Sequence, residues 1–285
     1  MSDEPDDRDD HEPSERPMGV AAAFGWGGVA WFFAIMVLDL SRSVRPGLRL
    51  DIVNNEVCVA LGFSVATALA VWVHLPERSL GDALGLRPVS PLLVVLAALI
   101  GASLQVPVTL LSTAIETRWP RGQEELELLA QLFTVRPGPY RIAFAACTVA
   151  LGPLVEELLF RGIVFRALYR HQVRVVVMLG TAGLFALIHL DPRKLGPIFL
   201  AGLILGLLRE RAGSVGASLA GHMSFNAVTT FALLVGWSKM AEPTTTVPPL
   251  VAVVGTVLLT VLLIAYVKLA ERSPVAAAAR EADAT

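Results

Sequence analysis

The chain has 285 residues, of which 54% are hydrophobic and only 17% are charged. Ordinary soluble domains carry roughly 25% charged residues, and the mean hydropathy here is +0.63, so the composition argues against a soluble protein. The net charge is -2, and no block of basic residues points to a nucleic-acid partner. Cys58 and Cys147 both lie in apolar runs, which excludes a disulfide framework. Much of the surface is therefore expected to face lipid.

The first segment, residues 1–17, differs from the rest of the chain. It holds eight acidic residues and two arginines. Because it lacks a basic start followed by an apolar region, it does not have the pattern of a signal peptide. We predict a disordered acidic leader over this range.

Eight apolar runs in the remaining sequence are long enough to be membrane spans, which need about 20 mostly apolar residues. Strands of an outer-membrane barrel would instead be about ten residues long with alternating polarity. The predicted fold is therefore all-α, a polytopic membrane bundle of about eight transmembrane helices. The predicted spans are Val20–Leu38, Val57–Val73, Leu92–Leu111, Ile142–Leu159, Val175–Leu190, Leu195–Leu208, Val215–Val235 and Leu250–Val267.

The spans group into three regions after the leader. Residues 18–139 hold the N-terminal membrane helices, and within them Gly122–Phe133 mixes acidic residues with leucines, which is typical of an amphipathic helix at the membrane interface. A solvated connector explains the same pattern. Residues 140–237 hold most of the polar residues found in apolar sequence, and residues 238–285 hold the last transmembrane helix and a polar tail. The distribution of Lys and Arg slightly favours both termini in the cytoplasm.

Two adjacent carboxylates stand out because they occur at the end of an apolar run. Glu156 and Glu157 close the predicted span Ile142–Leu159, where an unpaired charge costs several kcal/mol. Arg161 follows Glu157 by four residues, so the two share a helical face in the favourable order for an ion pair. Adjacent helical residues point about 100° apart, which leaves Glu156 facing elsewhere. We predict a structural ion pair of Glu157 with Arg161 and a separate task for Glu156.

Two histidines and an asparagine are also placed in apolar sequence. His189 ends the run that begins at Phe185, and His222 precedes Asn226 by four residues, so those two share a face. Each could be an ordinary polar contact between helices. Because they occur close to Glu156 in the chain, we predict that Glu156, His189, His222 and Asn226 converge on one polar cavity in the bundle.

This set of groups suits amide hydrolysis. The reaction needs a base that activates water and donors that stabilise the oxyanion, and no serine or cysteine is arranged as a nucleophile. Two histidines and a glutamate are also a catalytic zinc set, which would use Glu156, His189 and His222. The chain has no His-Glu-x-x-His motif. Activation of water without a cofactor is therefore favoured, and Zn²⁺ is the alternative.

The polar motifs resemble those of a known family, the CPBP intramembrane proteases, which comprise type II CAAX prenyl endopeptidases and bacteriocin-processing (Abi) proteins. The similarity covers about residues 142–235. The segment Leu84-Gly85-Leu86-Arg87 is similar to a weaker feature of the same family. The motifs that carry the resemblance are Glu156-Glu157-x-x-Phe160-Arg161, Phe185-x-x-x-His189 and His222-x-x-x-Asn226.

The resemblance implies roles for the predicted site residues. Glu156 and His189 would activate the water. His222 and Asn226 would form the oxyanion hole, while Glu157 and Arg161 would hold the site together. Residues 140–237 would supply the catalytic helices. The family has been labelled as metalloproteases, so the resemblance leaves the zinc alternative open.

We therefore predict a peptidase of the CAAX prenyl protease type, an intramembrane endopeptidase with multiple spans in the cell (inner) membrane. Its partners would be the lipid bilayer and a peptide or lipidated-protein substrate that is prenylated and CAAX-like or bacteriocin-like, and no nucleic acid. One alternative is a proton-coupled transporter that uses Glu156 and the histidines as a relay, although no internal repeat of the kind common in transporters is evident. The other is a non-catalytic bacteriocin-immunity membrane protein.

Overall fold

The computed structural model describes residues 16, 18–169, 171–236 and 247–284. Within these ranges the structure is helical and contains no strand, which confirms the all-α class. The predicted acidic leader, except Arg16, lies outside the described residues. The helices are α1 (Val20–Val44), α2 (Ile52–His74), α3 (Leu80–Ala83), α4 (Pro91–Arg118), α5 (Gln123–Leu132), α6 (Pro139–Tyr169), α7 (Arg174–Leu187), α8 (Leu195–Ala212), α9 (Val215–Leu234), α10 (Pro249–Arg272) and α11 (Pro274–Ala284).

Five helices in the described part of the chain, α1, α2, α4, α6 and α10, are long and apolar enough to cross a membrane. The predicted count of eight is not confirmed. The other three predicted spans do form helices, but α7 has only 14 residues, short of the roughly 20 that a span requires. Helix α8 ends in a charged turn with Arg209, Glu210 and Arg211, and α9 carries the polar residues of the predicted site among small ones.

The helices pack as two groups with α6 between them. Helices α1, α2 and α7 share one apolar core with α6, whereas α4, α8, α9 and α10 share a second core. Helix α6 contacts α2 on one side and α9 on the other. The two acidic residues of α6 are thereby placed at the boundary between the two cores.

The predicted amphipathic helix is present as α5. Ion pairs join α5 and the residue Arg121 just before it to the turn after α7. Arg121 donates to Asp191 at 2.8 Å and to Glu116 at 3.2 Å, while Arg193 contacts Glu125 at 3.3 Å. Asp191 also accepts from the backbone N–H of Arg193, so it caps the short helix that begins at Pro192. A location of α5 at the membrane interface stays a prediction.

Close helix crossings depend on glycine. A Cβ atom at Gly101 of α4 would overlap the carbonyl oxygen of Gly221 on α9, which is backbone and therefore cannot rotate away. Small residues let membrane helices approach closely enough for backbone contact. By contrast, a Cβ atom at Gly28 of α1 would have no other atom within 4 Å.

We expect Gly101→Ala to lower the melting temperature of the detergent-solubilised protein, because the overlap should destabilise the folded state by about 1 to 3 kcal/mol. Gly28→Ala is the matched control. It should be neutral or stabilising by up to about 1 kcal/mol, since alanine favours the helix over glycine. Equal melting temperatures for the two variants would contradict the crossing of α4 and α9.

The C-terminal helix is anchored by a buried carboxylate. Asp283 of α11 accepts from Arg209 of α8 at 2.6 and 3.1 Å and also pairs with Arg87. Arg87 in turn contacts Asp82 at 2.7 Å, which gives the Leu84–Arg87 segment a structural task. Burial raises the pKa of Asp283, but Arg209 and Arg87 lower it by more, so the pKa lies below its usual value. The predicted polar tail therefore includes a docked helix.

Because the folded-state pKa of Asp283 is lowered, its stabilisation is fully present above the usual aspartate pKa of about 4. It is lost as the pH falls through the lowered folded-state pKa. We expect Asp283→Asn to destabilise the protein by about 3 to 5 kcal/mol at neutral pH, because buried arginines lose their partner, and to flatten the acid-induced loss in thermal melts. Glu281 is an exposed carboxylate on the same helix. Glu281→Gln should therefore change neither the stability at neutral pH nor the loss of stability in acid.

Candidate active site

Helix α6 is irregular where it carries the site. Two π-helical segments, Ala146–Leu151 and Leu158–Val164, flank a short α-helical turn, Gly152–Glu157. Such π segments are frequent at functional sites because they shift the backbone hydrogen bonds of a helix. Side chains from other helices donate to carbonyl groups in both segments, since Thr148 O accepts from Asn226 and Arg161 O accepts from Arg209.

Glu157 and Arg161 form an ion pair with an N–O distance of 2.9 Å, and both side chains are fully buried. Arg161 also donates to the carbonyl oxygen of Gly202 on α8 at 3.3 Å. Its guanidinium lies 4.2 Å from the ring centroid of Phe185 on α7, in the range of a cation–π contact. The pair thus connects α6 to α7 and α8.

His222 of α9 lies between the two adjacent carboxylates. Its Nδ1 is 3.0 Å from Oε1 of Glu157, and its Nε2 is 3.7 Å from Oε2 of Glu156. Because an ionised carboxylate only accepts hydrogen bonds, the hydrogen in the Glu157 contact belongs to Nδ1 of His222. The Nε2 atom therefore faces Glu156 and the open part of the site.

His189 follows the last turn of α7 and is held by the backbone. Its Nδ1 donates to the carbonyl oxygen of Phe185 at 2.8 Å, which leaves Nε2 unprotonated in the neutral ring. The next residue, Leu190, has a φ of 53°, a left-handed conformation that costs about 1 to 2 kcal/mol for a residue with a side chain. This turn ends α7 and leaves the His189 ring packed against Phe185.

Phe185 is the shared neighbour of these groups. Its ring meets the His189 ring edge-on at 5.2 Å, the His222 ring at 5.7 Å and the Phe160 ring at 5.5 Å. Together with the Arg161 contact, this makes Phe185 the packing centre around which both histidines are arranged. Edge-to-face pairs of this kind stabilise by about 0.5 to 1.5 kcal/mol each.

Asn226 lies one turn beyond His222 on α9 and is oriented by α6. Its Nδ2 donates to Thr148 O at 2.9 Å, which leaves one N–H and the side-chain oxygen available. The structure thus brings Glu156, Glu157, Arg161 and His222 into direct proximity, and links His189 to them through Phe185. Asn226 is on the same helical face as His222 but contacts the preceding π segment of α6.

Glu56 was not among the residues predicted for the site. The predicted second span began at Val57, one residue after it, whereas α2 begins at Ile52. The Oε2 atom of Glu56 is 3.1 Å from where a Cβ of Gly152 would lie, so this carboxylate borders the helical turn that carries Glu156. The sequence held a signal for the earlier helix start, because an aspartate such as Asp51 is a preferred N-cap residue. In the structure Asp51 caps the helix by accepting from the N–H of Asn54.

The zinc alternative needs Glu156, His189 and His222 to act as ligands together. Among the described residues, no three His, Cys, Asp or Glu side chains are grouped so that they could hold a metal ion. The arrangement of these three residues therefore does not fit an assembled zinc site.

Residues 138–228 match the family model described as type II CAAX prenyl endopeptidase Rce1-like. The chain contains an Rce1-like domain. The matched range holds all six predicted site residues, and it confirms the family resemblance found in the motifs. No curated protein and no solved structure matches the chain. Residues 138–228 are thus similar to the CAAX-type endopeptidases that this family model describes, and five helices of the described chain are long and apolar enough to cross a membrane.

The two adjacent carboxylates should respond differently to substitution. We expect Glu157→Ala to lower the free energy of unfolding by about 3 to 5 kcal/mol, because it leaves the fully buried Arg161 without its partner. Glu156→Gln should change it by less than about 0.5 kcal/mol, since Glu156 accepts no hydrogen bond from the described residues. Denaturant unfolding in detergent would measure the free energy of unfolding of both variants. Similar losses of stability would contradict the structural role of Glu157 and the absence of one for Glu156.

Proposed function

We propose that the chain is an endopeptidase that hydrolyses a peptide bond of a membrane-associated substrate with an activated water molecule. The observation that carries this proposal is the contrast between the two adjacent carboxylates of the Rce1-like domain. Glu157 is neutralised by Arg161 at 2.9 Å, whereas Glu156 faces Nε2 of His222 without a hydrogen bond. An ionised carboxylate that is not engaged is free to accept a proton.

In this proposal, Glu156 is the general base. It takes a proton from a water molecule bound between its carboxylate and Nε2 of His189, which the backbone contact to Phe185 leaves unprotonated. The hydroxide so formed attacks the carbonyl carbon of the scissile bond. Glu156 then delivers the proton to the leaving amine. A positioned base of this kind contributes about 10² to 10⁴ in rate.

His222 and Asn226 are proposed to stabilise the oxyanion. To donate from Nε2, His222 must carry a proton on both ring nitrogens, and the Glu157 carboxylate at 3.0 Å from Nδ1 stabilises that cation. Asn226 has one N–H left after its bond to Thr148. Donors fixed in advance by other contacts are effective because they need no reorganisation during the reaction.

We propose that the reaction needs no resident metal. The support is that His189 is hydrogen-bonded to a backbone carbonyl and His222 to Glu157, and that no three such side chains are grouped as a ligand set among the described residues. Undiminished cleavage by protein shown to be free of zinc would support this proposal, and loss of cleavage on chelation with recovery on adding zinc would favour the alternative.

The substrate class follows from the family. We propose a lipidated CAAX-like protein or a bacteriocin-like peptide as substrate, because the matched family model describes CAAX prenyl endopeptidases. We also propose that the protein lies in the cell (inner) membrane with both termini in the cytoplasm, as the Lys and Arg distribution favours.

The test is a cleavage assay with purified protein in liposomes, incubated with prenylated and bacteriocin-like peptides and read by mass spectrometry. We expect Glu156→Gln to reduce cleavage by about 10² to 10⁴ and Asn226→Ala by about 10² to 10³. Glu124→Gln, an exposed carboxylate of α5, is the matched control and should retain full activity.

Normal cleavage by Glu156→Gln would sink the proposal. Proton-coupled flux into the liposomes without cleavage would favour the transporter, and protection of cells from a bacteriocin by the Glu156→Gln variant would favour an immunity protein.

A further inference from the structure

Glu56 is a carboxylate within a membrane-spanning helix for which the proposed chemistry has no task. It lies in the second turn of α2 and is partly buried. Among the described residues, its side chain has no hydrogen bond and no ion pair. A buried charge without a partner is costly, so the position of Glu56 requires an explanation.

The carboxylate of Glu56 lies on the same side of α6 as Glu156. Its Oε2 is 3.1 Å from the Cβ position of Gly152, and Gly152 precedes Glu156 by four residues in an α-helical turn. Residues four apart are neighbours on one helical face, about 5 to 6 Å apart. The two carboxylates are close enough to repel each other. Glycine at position 152 provides the space that Glu56 occupies.

Cations near this pair are already engaged. On α6, Arg161 is bound to Glu157 at 2.9 Å. At the start of α2, Arg136 is bound to Asp51 at 3.0 Å. His222 gives its Nδ1 hydrogen to Glu157. Within the described part of the chain, Glu56 and Glu156 therefore form a pair of neighbouring carboxyl groups with no positive group assigned to Glu56.

The direction of α2 relative to α6 orders Glu56 and Glu156 along the bundle. Helices α2 and α6 run in parallel, because Glu56 lies beside Gly152 and the Phe63 ring meets the Phe160 ring further along both helices. Glu56 is one turn from the start of α2, and Glu156 is one turn further along α6. A side chain of a bound peptide that lies toward the start of α2 is therefore on the Glu56 side of Glu156.

We propose that Glu56 determines specificity by binding a basic side chain of the substrate, lysine or arginine, within two residues of the scissile bond. The distance limit follows from the one helical turn between Glu56 and Glu156 and from the span of about 3.3 to 3.6 Å per residue of an extended peptide. The ammonium or guanidinium group supplies the cation that the pair lacks. This inference rests on the proposed peptidase function.

A peptide cation fits the site better than a metal ion. The Glu56 carboxylate alone can form a charge-assisted contact with one ammonium group, which leaves Glu156 free as the base, whereas calcium takes six to eight oxygen ligands. The described residues offer no third ligand grouped with Glu56 and Glu156.

The test compares three substrate peptides that differ at one position next to the scissile bond, with lysine, norleucine or glutamate there. We expect the wild-type protein to prefer the lysine peptide. Glu56→Gln should lower kcat/KM for that peptide about tenfold or more, as expected for loss of a charge-assisted contact, and change the norleucine value less than about twofold. Glu56→Lys should prefer the glutamate peptide.

Retained cleavage of the norleucine peptide shows that the Glu56 variants are folded, and Glu124→Gln is again the control for an exposed carboxylate. Equal kcat/KM values for all three peptides in the wild-type protein would overturn the inference, as would an equal loss for all three in Glu56→Gln.

A binding measurement separates this inference from the proposed function. Fluorescence anisotropy with the same peptides is recorded for the Glu156→Gln protein with and without Glu56→Gln. Tighter binding of the lysine peptide that depends on Glu56, without any cleavage by the wild-type protein, would support the inference and contradict the proposed peptidase function. Cleavage that depends on Glu156 but shows no charge preference would support the peptidase and overturn the inference about Glu56.

Discussion

The fully buried ion pair of Glu157 and Arg161 is the interaction on which the rest of the site depends. Neither charge can remain inside the bundle alone, because each would keep its desolvation cost without compensation. Both groups also bind other helices, since Arg161 reaches Gly202 of α8 and the ring of Phe185 on α7, while Glu157 accepts from His222 of α9. One pair on a single turn of α6 thus fixes three neighbouring helices. It also neutralises Glu157, which leaves Glu156 as the carboxylate that is free to act.

The irregular path of α6 explains how that pair and the remaining groups meet. The two π segments make carbonyl groups of Thr148 and Arg161 available to side chains of other helices. Asn226 uses the first of these contacts, and Arg209 uses the second. Because Arg209 is also bound to Asp283, the C-terminal helix α11 is connected through one side chain to the helix that carries the site. The geometry of the Rce1-like domain therefore depends on residues outside it.

Charge compensation divides the bundle into two kinds of carboxylate. Asp51, Glu157 and Asp283 each lie against an arginine and stabilise the fold. Glu56 and Glu156 lie near each other without such a partner in the described structure. Stability alone does not account for two adjacent, partly buried carboxylates, since replacing or pairing either one would remove their repulsion.

Local sequence predicted the helical class and the ion pair of Glu157 with Arg161, because apolar run length and four-residue spacing depend only on helix geometry. The polar motifs carried the family resemblance, whereas the predicted count of eight spans was not confirmed. Hydropathy placed the start of the second span at Val57, five residues after the helix begins at Ile52, and so missed Glu56. It also counted α7 as a span although that helix has 14 residues. Only the tertiary structure decided that His222 lies between the two carboxylates, that Phe185 joins both histidines and that Asn226 faces Thr148. These contacts join residues up to 78 positions apart, and they follow from how the helices pack against α6, which the order of residues along each helix does not specify.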